Sequence, residues 1–225
     1  STITVTLPGT YTYQWNEVNG PCDSADVVSV TFIQNPIANA GPDSSLCGLN
    51  YNMLAQPSIG IGTWTGTGIV FPNAPNSAVS VVAYGSYTYV WTENNLGCTS
   101  TDTVIIDFLQ VPNANAGVDG SGCGYSSTLS ADSTYPGFWT GPPNVIYVDG
   151  DTLPTTDIII PTYTGSSYTA IFTWHAHNGS CTDNDDVNIT FIRPHHAEAG
   201  NPQDVCGTVA QVFADTIGSG LTSGY

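Results

Sequence analysis

Six thiols, at Cys22, Cys47, Cys98, Cys123, Cys181 and Cys206, are the most reactive groups this sequence offers. They recur in a pattern: 25 residues separate Cys22 from Cys47, Cys98 from Cys123, and Cys181 from Cys206. No two lie closer than that, which is a poor arrangement for a tetrahedral zinc site, whose ligands usually come in closely spaced pairs. An even number at equivalent places in successive segments reads instead as a disulfide framework in an oxidising, extracellular compartment. His175 and His177 have the i, i+2 spacing of a two-histidine metal site on a strand, with His195-His196 following. The inward residues beside them are Phe172 and Trp174, so alternation turns both histidines outward, toward solvent. The acidic clusters Asp149-Gly150-Asp151 and Asp183, Asp185, Asp186 carry the hard oxygen ligands that Ca²⁺ takes, but neither has the spacing of a calcium loop. The expectation is no resident cofactor, with Ca²⁺ the one ion these clusters could hold. No nucleophile motif, phosphate loop or carboxylate pair stands out, and lysine is absent, so no enzymatic activity is expected.

The elements that must position these groups come as a repeated cassette. Counting from the first cysteine of each 25-residue segment, apolar residues fall at +6, +8 and +10: Val28, Val30, Phe32; Val104, Ile106, Phe108; Val187, Ile189, Phe191. An Ala-Asn-Ala-Gly or Ala-Glu-Ala-Gly step follows, ending at Gly41, Gly117 and Gly200. Trp91 lies 76 residues after Trp15 and Trp174 lies 83 after Trp91, so a unit is about 80 residues and the chain is a tandem array. Period-2 alternation rich in aromatic and β-branched residues marks half-buried antiparallel strands, as in Tyr11, Tyr13, Trp15 and Tyr87, Tyr89, Trp91. About seven short strands per unit, punctuated by turn signals, predict an all-β fold of tandem immunoglobulin-like sandwiches. The expected boundaries are residues 1–36, the C-terminal part of one unit; 37–112 and 113–194, two whole units; and 195–225, the N-terminal part of another. Partial units need missing strands from elsewhere in the chain or from an identical chain.

Composition narrows the partners. One arginine, Arg193, stands against 18 acidic residues, for a net charge of −17. Charge-driven binding to a nucleic-acid backbone or to an anionic membrane is therefore not expected. No run of the sequence is long and apolar enough for a membrane span.

Three motifs together carry a resemblance: Ala-Asn-Ala-Gly-Pro-Asp before Cys47, Gly-Thr-Trp-Thr-Gly around Trp64, and Tyr-Thr-Tyr-Val-Trp-Thr-Glu-Asn-Asn-Leu-Gly-Cys ending at Cys98. The chain resembles the PKD-like, Ig-related repeats of very large Bacteroidetes surface proteins, among them gliding-type adhesins exported by the type IX system. Pro202 stands where Asp43 and Asp119 do, and Ala170 where Tyr87 does, so the match is incomplete. The resemblance implies a structural or adhesive extracellular region, forming a cell-surface rod or filament. Its partners would be neighbouring repeats of the same or an identical chain, and surface polysaccharide. The alternative is a spacer or carbohydrate-binding module of a secreted polysaccharide-degrading enzyme, for which Tyr135 and Tyr147 would be the sugar-stacking aromatics; loop packing is their other role. The resemblance also implies O-glycans at Asp-Ser/Thr sites, here Ser24, Thr103, Ser133, Thr152 and Thr216, although such triplets also arise by chance in an acidic, Ser/Thr-rich chain.

Two cysteine pairings fit the count. One joins Cys47 to Cys98 and Cys123 to Cys181 within units; the other joins the ends of each 25-residue segment. An extended strand from Cys22 to Phe32 spans roughly 33 Å, whereas a disulfide needs Cα atoms within about 7 Å. Geometry thus favours the within-unit pairs, provided the first and last strands run parallel from one pole of the sandwich. Cys22 and Cys206 then find partners elsewhere.

Overall fold

The computed structural model describes residues 2–132, 134–194 and 199–212, and within them every regular element is a β-strand. Two compact units emerge, Ser1–Asn113 with His177–Asp183, and Ala114–Ala176 with Asn184–Tyr225.

The first unit holds a complete sandwich. One sheet is ordered β3-β8-β7-β5, from Ser44–Cys47 (β3), Cys98–Leu109 (β8), Gly85–Asn95 (β7) and Ile61–Thr65 (β5). Asn50–Asn52 (β4) and Ala78–Ser80 (β6) form the second sheet. The long β7–β8 hairpin alternates as its sequence demands, burying Tyr89, Trp91, Val104, Ile106 and Phe108 and leaving the residues between exposed or half-buried. Trp64 joins them from β5 of the same sheet, and Met53, Val79 and Val81 close the core from the other side. Parallel pairing sets β3 beside the last strand, with Ser44 opposite Ile106 and Cys47 opposite Leu109.

The second unit repeats the plan. Its sheets are β11-β14-β15-β9 and β10-β13-β12, built from Gly120–Cys123 (β9), Ser126–Ser130 (β10), Gly137–Thr140 (β11), Ile146–Tyr147 (β12), Thr155–Ile159 (β13), Ser167–Asn178 (β14) and Cys181–Ile192 (β15). Strand β9 pairs parallel with β15, and Cys123 faces Ile192 as Cys47 faces Leu109. A short β12 extends the smaller sheet alongside β13, where the first unit has the isolated bridge Ile69–Val79.

At the heart of each core two tryptophans meet across adjacent strands. Trp64 opposes Trp91 with ring centroids 5.1 Å apart, and Trp139 opposes Trp174 at 5.2 Å. The first glycine of each Gly-x-Trp-Thr-Gly motif exists for this packing. A Cβ on Gly62 would lie 1.9 Å from the Trp91 ring, and one on Gly137 2.5 Å from that of Trp174. The motif's last glycines, Gly66 and Gly141, lie equally close to the Tyr89 and Phe172 rings.

Gly9–Asn19 (β1) and Cys22–Phe32 (β2) form a two-stranded hairpin in the register of β7 and β8, Trp15 facing Asp26 as Trp91 faces Asp102. Even its details match: Tyr11 donates its hydroxyl to Leu7 O as Tyr87 does to Ala83 O, each at 3.0 Å. Its inner face, however, is uncovered. Trp15 is 66% exposed where Trp91 and Trp174 are at most 1% exposed. Ile3, Val5 and Leu7, the counterparts of Val79, Val81 and Ala83, form no strand, because no described strand pairs with them as β4 pairs with β6. Residues 199–212 likewise carry no strand, and Val212 is exposed.

Candidate functional site

The cysteines are where sequence and structure part. A disulfide joins Cys47 to Cys181, with Cα atoms 5.6 Å apart, and Cys22, Cys98, Cys123 and Cys206 are free thiols. The expected Cys47–Cys98 and Cys123–Cys181 pairs do not form. The parallel first and last strands do exist, but Cys47 ends β3 opposite Leu109, at the far end of the strand that Cys98 begins. Eleven residue steps along β8 amount to roughly 36 Å, far beyond a disulfide's reach. Cys123 and Cys181 are likewise at opposite ends of β15.

Three features hold the bonded pair in place. The N–H of Gly48, the residue after Cys47, donates to Leu109 O at 2.9 Å. The turn leading into Cys181 is tied down by Asn178, whose Nδ2 donates to Gln110 O at 2.9 Å. At Gly179 in that turn, where φ is +59°, a Cβ would come within 2.7 Å of Leu109 Cδ1. The chain leaving β8, the end of β3 and the turn before β15 therefore form one small cluster closed by a covalent bond.

The Ala-Asn-Ala-Gly segment explains how Cys47 comes to stand opposite Leu109. Ala40 N donates to Asp102 Oδ2 at 2.8 Å and Ile105 N to Asp43 Oδ1 at 2.7 Å, so the segment runs alongside β8 before β3 begins. Asn39 Oδ1 accepts from Gly41 N at 2.9 Å, an Asx turn around a glycine with φ of +86°. Ala116–Asp185, Asn188–Asp119 and Gly117–Asn115 reproduce these bonds at 2.8–2.9 Å. The aspartates four residues past Cys98 and Cys181 are thus structural acceptors.

Glu93 is a buried carboxylate that sequence reading passed over, although its place on the inward alternation of β7, two residues past Trp91, was the available signal. It is 1% exposed and accepts from Ser58 N at 2.9 Å, Trp91 Nε1 at 3.0 Å, the Ser58 hydroxyl and, at 3.4 Å, Ile59 N. Burial pushes its pKa up, but the hydrogen bonds from Ser58, Trp91 and Ile59 outweigh it and hold the group below the usual carboxylate range. Its role is to fasten the loop before β5 to β7.

The other expected sites are dispersed. His175 faces outward, half-buried, with Nε2 2.9 Å from Thr140 Oγ1 and its ring stacked on Phe138 at 4.8 Å. His177 shares that face, and His195 and His196 lie outside the described residues. Asp185 accepts from Ala116 N and Asp186 from Thr173 Oγ1, so these two carboxylates are engaged with protein donors. Among the described residues no cluster of three or more His, Cys, Asp or Glu is arranged to hold a metal ion. Tyr135 and Tyr147 pack against the second core rather than standing out as sugar platforms, and burial, then the nearby Asp151 charge, raises the Tyr147 pKa. Ser24, Thr103 and Thr152 are exposed; Ser133 and Thr216 lie outside the described residues. Among the described residues no helix is long and apolar enough to cross a membrane.

No protein-family model and no curated protein matches the sequence. Solved structures do. Extracellular domains 3–5 of Drosophila OTK are similar at 10% identity and TM-score 0.51, over 84% of this chain and 72% of that one. Sidekick-1 immunoglobulin domains 1–4 are similar at 12% identity and TM-score 0.45, over 84% and 59%. An endo-fucoidan hydrolase of glycoside hydrolase family 107 is similar at 13% and TM-score 0.28, over 84% of this chain and 35% of the enzyme. The last two overlap too loosely to carry any inference, and the first speaks for the fold alone. With the paired-sheet topology above, that fold is all-β and immunoglobulin-like, repeated in tandem.

Proposed function

We propose that the chain is a structural and adhesive region of an extracellular protein, a series of Ig-like units that forms a cell-surface rod or filament. The observation that carries this is the recurrence of one core, one register and one set of linker hydrogen bonds in consecutive units. Repeats of this kind add length and surface rather than chemistry. The disulfide fits an oxidising compartment. The net charge of −17 keeps neighbouring molecules apart in solution. The resemblance to Bacteroidetes surface repeats supports a cell-surface location, with neighbouring repeats and surface polysaccharide as partners and glycans on the Asp-Ser/Thr sites. Immunogold labelling of intact producing cells with antibody to this region tests the proposal. Label displaced outward from the outer surface is expected; label confined to the interior of the cell, or a soluble secreted enzyme carrying the region, overturns it.

A further inference from the structure

The four free cysteines are not scattered. Cys123 occupies in the second repeat the place that Cys47 occupies in the first. Each is the last residue of a strand paired parallel with the final strand of its sandwich, opposite Ile192 and Leu109 respectively. Each precedes a glycine with positive φ, +84° and +105°, whose N–H donates to the opposing carbonyl at 2.8 and 2.9 Å. Cys98 likewise stands where Cys181 does, at the start of the final strand after a tight turn. The turn before Cys98 makes the same tie, Asn95 Nδ2 donating to Gln34 O at 2.8 Å as Asn178 donates to Gln110 O at 2.9 Å. Gln34 and Gln110 both lie just beyond the final strand of the preceding repeat, two residues past Phe32 and Phe108. Cys98 is therefore placed against the end of β2 as Cys181 is placed against the end of β8. A first strand lying beside β2 as β3 lies beside β8 would put its own cysteine within reach of Cys98.

We propose that Cys98 and Cys123 are cross-linking sites for further units of this same repeat type, each in the register of Cys47–Cys181. The first-strand cysteine of one repeat bonds the final-strand cysteine of the next. Applied along the chain, this rule gives Cys47 to Cys181 and leaves Cys22, Cys98, Cys123 and Cys206 without partners among the present residues, which is the observed set of thiols. Within-unit pairing would leave only Cys22 and Cys206 free. The ladder rests on the tandem-repeat reading and adds to it: each bridge closes a loop of chain, so that breaking the hydrogen bonds inside that loop does not lengthen the series. Each bond forms by thiol–disulfide exchange with an oxidised dithiol carrier. One cysteine thiolate attacks the carrier disulfide, the second displaces the carrier from the mixed disulfide, and the carrier leaves with two electrons and two protons as a dithiol.

Two arms test this. In the chain as it stands, alkylation without reduction should label Cys22, Cys98, Cys123 and Cys206 and spare Cys47 and Cys181; protection of Cys98 by Cys47 would overturn the register. In a chain with residues 113–194 duplicated in place, the added copy carrying Cys123→Ser and Thr182→Ser so that its peptides are distinguishable by mass, and refolded in a glutathione buffer, Cys123 should lose its label. A non-reduced digest should then link the Cys123 peptide to the peptide of the added copy of Cys181. A Cys123 that stays fully alkylated, or that bonds Cys181 of its own repeat, refutes the ladder. A non-reducing gel separates sources: a monomer band is expected, whereas disulfide-linked multimers that vanish on reduction would make the partner a second chain and contradict bonding along one chain. Tryptophan emission from the same samples keeps the arms distinct, since blue-shifted emission with an unbonded Cys123 leaves the tandem-fold reading standing while the ladder falls.

Discussion

Replacing Glu93 by alanine removes a carboxylate that is 1% exposed and that satisfies three donors at good distance, Ser58 N–H, the Ser58 hydroxyl and Trp91 Nε1–H. Leaving buried donors unpaired costs about 1 kcal/mol or more each, and bonds to a charged acceptor are at the upper end of the range. The expected loss is therefore about 3 kcal/mol, and about 1.5 kcal/mol for Glu93→Gln, which keeps one acceptor oxygen but turns an amide N–H₂ toward Ser58. The pH dependence follows from the depressed folded pKa. Such a group contributes fully above its unfolded pKa, about 4.3, and its contribution is lost as pH falls through the lower folded value. The first unit should thus weaken in acid more steeply in the native chain than in Glu93→Gln. Alanine stands at the corresponding position of the second unit, Ala176, so that unit serves as an internal control. Hydrogen exchange followed by peptide mass spectrometry at pH 7 and pH 3.5 reads the two units separately, with exchange rates corrected for intrinsic pH dependence. A loss below about 1 kcal/mol, an acid response that survives Glu93→Gln, or an equal response in the Ala114–Ala176 peptides would refute the buried-acceptor account.

Three further outcomes are expected. Trp91→Ala and Trp174→Ala should each cost about 4 kcal/mol in urea unfolding, the usual price of emptying a large aromatic site. Trp15→Ala should cost under about 0.5 kcal/mol because that ring is 66% exposed, and acrylamide should quench Trp15 while sparing the four buried tryptophans. Gly62→Ala should lower the first unit's stability by about 2–3 kcal/mol through overpacking against Trp91, with a loss of near-ultraviolet dichroism; an unchanged melting temperature would contradict the 1.9 Å approach. Asp185→Ala should free Ala116 N and cost about 1–2 kcal/mol, seen as faster exchange confined to the Ala116–Gly117 amides.

Much of the sandwich was written in local pattern. The alternation of Tyr87, Tyr89, Trp91 and of Val104, Ile106, Phe108 fixes which faces of β7 and β8 are buried, because a strand's side chains can point only two ways. Equivalent residues then carry the same conclusion into β14 and β15. The Gly-Thr-Trp-Thr-Gly motif entered only through the resemblance, and nothing in it said that its glycines make room for rings on the neighbouring strand. The cysteine pairing was not legible for a specific reason. Strand direction can be inferred from topology, but the height at which Cys47 stands along β8 depends on where Ala40 and Asp43 are pinned to that strand. The signal was present in the constant spacing of the Ala-x-Ala-Gly step and the aspartate four residues past the first cysteine of each 25-residue segment, yet spacing alone does not say that the two touch. The short β12 and the tie from Asn178 to Gln110 left no periodic trace, since β12 is only two residues long and the tie is a single long-range hydrogen bond.

Pulling single molecules from their ends tests most directly whether each repeat folds separately around its own core, with the chain between Cys47 and Cys181 locked by their bond. With the disulfide reduced, two unfolding steps are expected, each releasing roughly 27–30 nm for units of 76 to 83 residues. With it intact, both long steps should disappear, because the span between Cys47 and Cys181 cannot extend. One merged step of about twice that length, or traces indifferent to reduction, would contradict it.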